Sequence, residues 1–118
     1  MKPSQILDDA ADVIERNGHH RGAFYDHGQA VALRVPAAEC RVCLIGAINV
    51  AAGREPAYMV DVEDPVVVAV AAQISEYIAP GDDLSEAIAD WNDRLVADGG
   101  AVATVLRAAA GAEREAGR

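Results

Sequence analysis

Apolar residues recur at intervals of three and four residues along most of the chain, and this spacing is typical of amphipathic helices. Ser4 is a good N-cap for the first helix, and Gly18 stands where that helix would end. Asp64-Pro65 and Asp83 provide the starts of two later helices. The predicted helices occupy 1–18, 41–53, 64–79, 83–95 and 99–114.

The segment 41–53 is apolar on every helical face, which is the pattern of a buried helix. Gly46 interrupts this segment, although glycine costs about 1 kcal/mol relative to alanine inside a helix. We therefore expect another part of the backbone to approach closely at Gly46. The apolar residues of the segment are Val42, Leu44, Ile45, Ala47, Ile48, Val50 and Ala51.

The segment 19–36 has a different pattern, because Val31, Leu33 and Val35 alternate with smaller or polar residues, as they would in a strand. The Asp-His-Gly sequence at 26–28 has the composition of a turn. Together these features predict a β-hairpin over 19–36.

The length of 118 residues is that of one ordinary domain. The predicted fold is a single compact domain, mainly α, with about five helices around a buried central helix and a small β-hairpin. A chain of this size can bury enough surface to fold without a disulfide or a structural metal.

The net charge of −9 argues against nucleic-acid binding, because phosphate contacts supply most non-specific affinity and an acidic surface repels them. No apolar run is long enough to cross a membrane. The first nine residues contain no apolar signal core, so we expect a cytoplasmic protein.

The two cysteines, Cys40 and Cys43, have a C-x-x-C spacing, and His20 and His27 lie upstream as further candidate metal ligands. The spacing is not that of a zinc finger or ribbon, and an apolar run follows Cys43 directly. We therefore expect no metal and no cofactor, with Cys43 acting as a small apolar residue in the buried helix. The alternative is a metal- or thiol-dependent activity centred on Cys43 with a nearby histidine. No third orienting residue can be named, so no catalytic residue is assigned.

The predicted helix 83–95 has an acidic stripe and ends in a Trp-Asn-Asp sequence. One interpretation makes Trp91 a core anchor and the next two residues the end of the helix. The other makes them the rim of a binding site, with the stripe as a docking surface for a basic protein segment. The residues of this candidate partner-binding site are Asp82, Glu86, Asp90, Trp91, Asn92 and Asp93.

A helix with the sequence Cys-Leu-Ile-Gly-Ala at 43–47, followed by Trp-Asn-Asp at 91–93, resembles a family of small uncharacterised proteins of actinobacteria and their phages. The resemblance extends over nearly the whole chain. It departs at His19, where relatives tend to have tryptophan. The family has no assigned activity, so the resemblance implies a single domain and no particular chemistry.

These observations favour a small regulatory module that binds another protein over an enzyme. If the chain is encoded by a phage, the expected partner is a host protein. A homodimer is a further alternative that the sequence leaves open.

Overall fold

The computed structural model describes residues 1–118 and contains six α-helices and no β-strand. None of these helices combines the length and the apolar character needed to span a bilayer. The helices are α1 (Pro3–Asn17), α2 (His27–Ala32), α3 (Leu44–Ala51), α4 (Pro65–Gln73), α5 (Leu84–Asp90) and α6 (Gly99–Glu115). Short 3₁₀ turns follow α2 and α4, and a π-helical turn over Trp91–Leu95 continues α5.

The two longest helices, α1 and α6, pack along each other, with α3 against α1 and α4 against α6. Ala10 of α1 and Ala109 of α6 are fully buried, and small side chains of this kind allow packed helices to approach closely. Leu7 of α1 and Leu106 of α6 are fully buried in the same hydrophobic core. The chain is thus mainly helical and compact, but the small β-hairpin that formed part of the predicted fold is absent.

Pro3, rather than Ser4, begins α1, and its fixed φ suits the first helical position. Ser4 is buried inside the helix, so its predicted role as the N-cap is wrong. Lys2 occupies the cap position and makes no side-chain capping bond.

Helix α3 is buried at six of its eight positions, from Leu44 to Asn49. It begins later than 41 because Arg41 to Cys43 are extended and bond to backbone on two sides. The Cys43 N–H donates to the Phe24 carbonyl, which lies so close that a Cβ on Gly46 would be 2.3 Å from its oxygen. The close backbone approach expected at Gly46 is thus confirmed.

The predicted hairpin at 19–36 is wrong, because the segment forms only isolated bridges, His19 and Tyr25 each pairing with Val42. The Asp26 carboxylate accepts a hydrogen bond from the Gln29 N–H and thereby caps α2, so 26–28 begins a helix instead of turning a hairpin. The backbone that pairs with 19–25 comes from 41–43. Such a distant partner cannot be read from local alternation.

The π-helical turn changes the direction of the residues that follow α5. A π turn contains an extra residue compared with an α-helical turn, so side chains after Trp91 leave the line set by α5. Asn92 is consequently buried, at 2 % exposure, and Asp93 turns toward the 20–22 loop.

Candidate functional site

The Asn92 side chain joins three separate parts of the chain. Its Oδ1 accepts a hydrogen bond of 3.0 Å from the Leu44 N–H at the start of α3, and lies 2.7 Å from His19 Nε2. Its Nδ2 donates to the His20 carbonyl at 3.1 Å and to Asp93 Oδ1 at 2.9 Å. Asn92 therefore fixes the 19–22 loop and the N-terminus of α3 to the end of α5.

The same network determines the tautomer of His19. The Asn92 amide cannot be flipped, because its Nδ2 faces two acceptors and its Oδ1 faces a backbone N–H. His19 Nε2 must therefore carry the hydrogen and donate it to Oδ1. Burial lowers the pKa of His19 from 6.5, and the bond to Asn92 only partly opposes this effect.

The pKa of His19 is lower in the folded protein than in the unfolded chain. As the pH falls below about 6.5, His19 is therefore protonated in the unfolded chain while it is still neutral in the folded protein. We expect the free energy of unfolding to fall with decreasing pH in that window, down to the lowered pKa. The difference in stability between the wild type and His19→Gln, measured by urea unfolding, should change with pH there. His27→Gln, at an exposed position, controls for the loss of one histidine. An identical pH slope in the wild type and His19→Gln would refute this prediction.

Asp93 and Arg21 fix the loop and the π turn to each other. The Gly22 N–H donates to Asp93 Oδ1 at 2.8 Å. The Arg21 guanidinium donates to the carbonyls of Asn92 and Val96 at 2.9 and 2.8 Å. It also donates to the carbonyls of Asp93 and Ala97 at 3.2 and 3.3 Å. Arg21 therefore pairs carbonyl groups that the end of the helix leaves without partners.

A mostly apolar cavity of about 220 Å³ adjoins this network. Its walls come from the 22–24 loop, the start of α3, the segment 59–60 and one face of α5 with the π turn. The lining residues are Gly22, Ala23, Phe24, Cys43, Ile45, Met59, Val60, Ser85, Ile88, Ala89, Asn92 and Asp93. We call this cavity the α5 pocket.

The wall formed by 59–60 is positioned by a buried amide in α3. Asn49 is completely buried, and its Nδ2 donates to the carbonyls of Pro56 and Tyr58 at 2.9 and 2.8 Å. The Arg54 guanidinium stacks on the Tyr58 ring at 4.6 Å. These contacts hold the loop that leads directly into Met59.

Cys43 is the N-cap of α3, and its Sγ accepts a hydrogen bond of 3.2 Å from the Gly46 N–H. Burial raises the pKa of the Cys43 thiol, and the N–H groups of Gly46 and Ile45 oppose this effect without overcoming it. A thiol with a raised pKa is protonated at neutral pH and is a poor nucleophile. This geometry favours the structural interpretation of Cys43 over a thiol-dependent activity.

The capping contact predicts different effects for two small substitutions at Cys43. Cys43→Ala should lower the free energy of unfolding by about 1 kcal/mol, because the Gly46 N–H loses its acceptor. Cys43→Ser should retain or raise stability, because a hydroxyl is a stronger N-cap acceptor than a thiol. Chemical denaturation of both variants tests this ordering. Equal losses would mean that sulfur packing, and not capping, is what Cys43 contributes.

The residues named as alternative metal ligands are not brought together, since no group of three or more His, Cys, Asp or Glu residues could hold an ion. Cys40 is fully buried, and its Sγ contacts the carbonyls of Val35 and Pro36. Cys43 Sγ faces the Gly46 N–H instead, and His27 is exposed and stacks on Tyr25. His20 contributes its carbonyl to the Asn92 network.

The predicted acidic stripe is not one continuous surface. Asp93 turns inward to Gly22, and Asp90 forms an ion pair with Arg94. Asp82 is exposed, and its carboxylate accepts a hydrogen bond from the Ala79 N–H. Glu86 is exposed, and its carboxylate takes part in no hydrogen bond or ion pair.

The Trp-Asn-Asp residues have two different roles. Trp91 is 5 % exposed and belongs to the hydrophobic core. Asn92 and Asp93 line the α5 pocket while bonding to the 19–22 loop. The candidate site named from the sequence did not include the segments 22–24 and 59–60, nor the pocket residues Ile45, Ser85, Ile88 and Ala89. In the sequence, only Gly46 indicated that another backbone segment lies close to α3, and that segment is 22–24.

The molecule is thus a small, mainly helical domain with an apolar pocket beside a buried polar junction. The chain belongs to a family of unknown function, DUF6197, whose model matches residues 1–112. The predicted membership of an uncharacterised family is confirmed at this level. No curated protein and no solved structure matches the chain.

Proposed function

We propose that this protein is a binding module whose α5 pocket receives an apolar side chain from a basic segment of a partner protein. The observation on which this proposal depends is the apolar pocket of about 220 Å³ next to an exposed acidic residue on α5, in a chain of net charge −9. Well-packed apolar anchors supply most of the affinity of protein interfaces, whereas charges speed encounter and set specificity.

Glu86 supports the basic character of the proposed partner. It is exposed, and it is the neighbour in sequence of Ser85, which lines the pocket. Ala89, one helical turn further along α5, lines the pocket too. An arginine or lysine beside the inserted side chain could therefore pair with Glu86. Asp90 is the weaker candidate, because Arg94 already neutralises it.

In line with the resemblance to proteins of actinobacteria and their phages, the proposed partner is a host protein and the proposed compartment is the cytoplasm. A regulatory module needs no catalytic group of its own. The raised pKa of Cys43 and the separation of the candidate metal ligands are consistent with such a role.

Selection of binders from a displayed peptide library, followed by measured association rates, tests the proposal. We expect selected peptides to pair an apolar residue with arginine or lysine. Glu86→Lys should slow their association several-fold at low salt and flatten its salt dependence. The free energy of unfolding should change by less than about 1 kcal/mol, because exposed charges contribute little to stability.

Glu115→Lys is the matched control, because it makes the same change in net charge at an exposed position near the end of α6. Equal slowing by the two variants would mean that only total charge matters. A library that yields no binder, or binders that ignore the α5 pocket, would contradict the proposed function. Ala89→Phe, which fills the mouth of the pocket from an exposed position, identifies pocket-dependent binders.

A further inference from the structure

The size of the α5 pocket limits what can enter it. An apolar protein cavity of about 150 Å³ is large enough to bind benzene. The pocket has about 220 Å³ and is walled mainly by apolar groups, among them Phe24, Ile45, Val60 and Ile88. A single six-membered ring with one substituent therefore fits this volume.

Ser85 adds a polar requirement to this apolar site. It belongs to the pocket wall, and its Oγ has no hydrogen-bond partner. In its present χ1 position that atom is closed to solvent, so it reaches the pocket only after rotation about χ1. A buried hydroxyl that remains unpaired is unfavourable. A serine hydroxyl can reorient among staggered χ1 positions, and it can either donate or accept a hydrogen bond.

Asp93 adds a requirement on charge. Asp93 lines the pocket, and its carboxylate Oδ1 already accepts hydrogen bonds from the Gly22 N–H and Asn92 Nδ2. A second carboxylate buried beside it would be repelled and would lose its hydration. Anionic rings are therefore disfavoured relative to neutral ones.

We propose that the anchor that enters the α5 pocket is a tyrosine side chain of the partner, with its hydroxyl paired to Ser85. This inference rests on the proposed function and specifies its ligand. A phenol ring meets all three requirements, because it is ring-sized, neutral and has one group that can donate or accept a hydrogen bond. Buried tyrosine hydroxyls usually find such a partner.

The test uses three small probes that share a methyl-substituted benzene ring: p-cresol, which is the analogue of the tyrosine side chain, toluene and p-toluate. Binding is followed by amide chemical shifts of the pocket residues in the full-length protein. We expect p-cresol to bind several-fold more tightly than toluene, in proportion to one net hydrogen bond. We expect p-toluate to bind more weakly than both.

Ser85→Ala is the decisive variant, because it removes the hydroxyl while placing a good helix former in α5. In this variant the affinity for p-cresol should fall to the affinity for toluene or below it, and the affinity for toluene should not change. Ala89→Phe should weaken all three probes. Protection of Cys43 from a small thiol reagent by p-cresol, followed at mildly alkaline pH where more of this thiol is ionised, provides a second readout, since Cys43 lines the pocket and Cys40 is fully buried.

Equal affinities of p-cresol and toluene, or a p-cresol affinity that Ser85→Ala leaves unchanged, would overturn the inference. Absence of any shift in pocket amides would overturn it as well. These failures are distinct from failure of the proposed function. Basic peptides that bind in a Glu86-dependent manner without a tyrosine would preserve the proposed function and refute the tyrosine anchor.

Discussion

Replacing Gly46 with alanine is expected to lower the free energy of unfolding by more than about 3 kcal/mol, beyond the usual cost of overpacking a core. The new Cβ would lie 2.3 Å from the Phe24 carbonyl oxygen and 3.2 Å from the Val42 Cβ. The nearest atom belongs to the backbone, so it cannot swing aside as a flexible side chain would. This clash can be relieved only if α3 moves away from the 22–24 loop. That movement would weaken the hydrogen bond from the Cys43 N–H to the Phe24 carbonyl.

Gly111→Ala provides a matched control for Gly46→Ala. Gly111 lies in α6, and a Cβ there would meet nothing within 4 Å. That change should stabilise the protein by about 0.5–1 kcal/mol, because alanine is the better helix former. Thermal and urea unfolding of both variants measures the contrast. If Gly46→Ala is as stable as the wild type, the close approach of Phe24 is wrong.

Asn92→Ala is expected to cost about 2–4 kcal/mol, although it removes only one small side chain. The truncation leaves the Leu44 N–H, the His20 carbonyl and the His19 ring without their partner. Buried polar groups that lose a partner cost about 1–3 kcal/mol each, and local relaxation recovers part of that. The variant should also loosen the loop that forms one wall of the α5 pocket.

Asn17→Ala serves as the comparison, because the Asn17 side chain makes only exposed hydrogen bonds, donating to the Ala38 carbonyl and accepting from Arg16 Nε. It should cost no more than about 1 kcal/mol. Urea unfolding gives both free energies, and hydrogen exchange at Gly22 reports on the loop. Equal small losses in the two variants would contradict the role of Asn92 as the junction of α3, α5 and the loop.

The Cys-Leu-Ile-Gly-Ala sequence at 43–47 and the Trp-Asn-Asp sequence at 91–93 both contact the 22–24 loop. The Gly46 position allows the Phe24 carbonyl to contact the start of α3, and Asp93 anchors Gly22 of the same loop. Both motifs therefore hold the 22–24 wall of the α5 pocket. Their separation in sequence conceals this relation, because α4 and α5 lie between them.

Local patterns were sufficient for the helical class and for the buried character of α3. Helix formation depends on neighbours three and four residues away, so the recurrence of apolar residues at those intervals records it directly. A helix that is apolar on every face has only one stable environment, which is the core. The single unexpected glycine in that helix also indicated a close backbone contact, because no side chain could occupy the space.

Only the tertiary structure determined the conformation of 19–36, the position of Asp93 and the formation of the α5 pocket. The strand-like residues 31–35 form no sheet, because the backbone of 19–25 pairs with 41–43 and Asp26 caps a short helix. Asp93 leaves the acidic stripe because a π turn redirects it toward Gly22. The α5 pocket likewise combines segments far apart in the chain. Hydrogen bonds between residues some seventy positions apart leave no periodic signal, so only the folded chain reveals them.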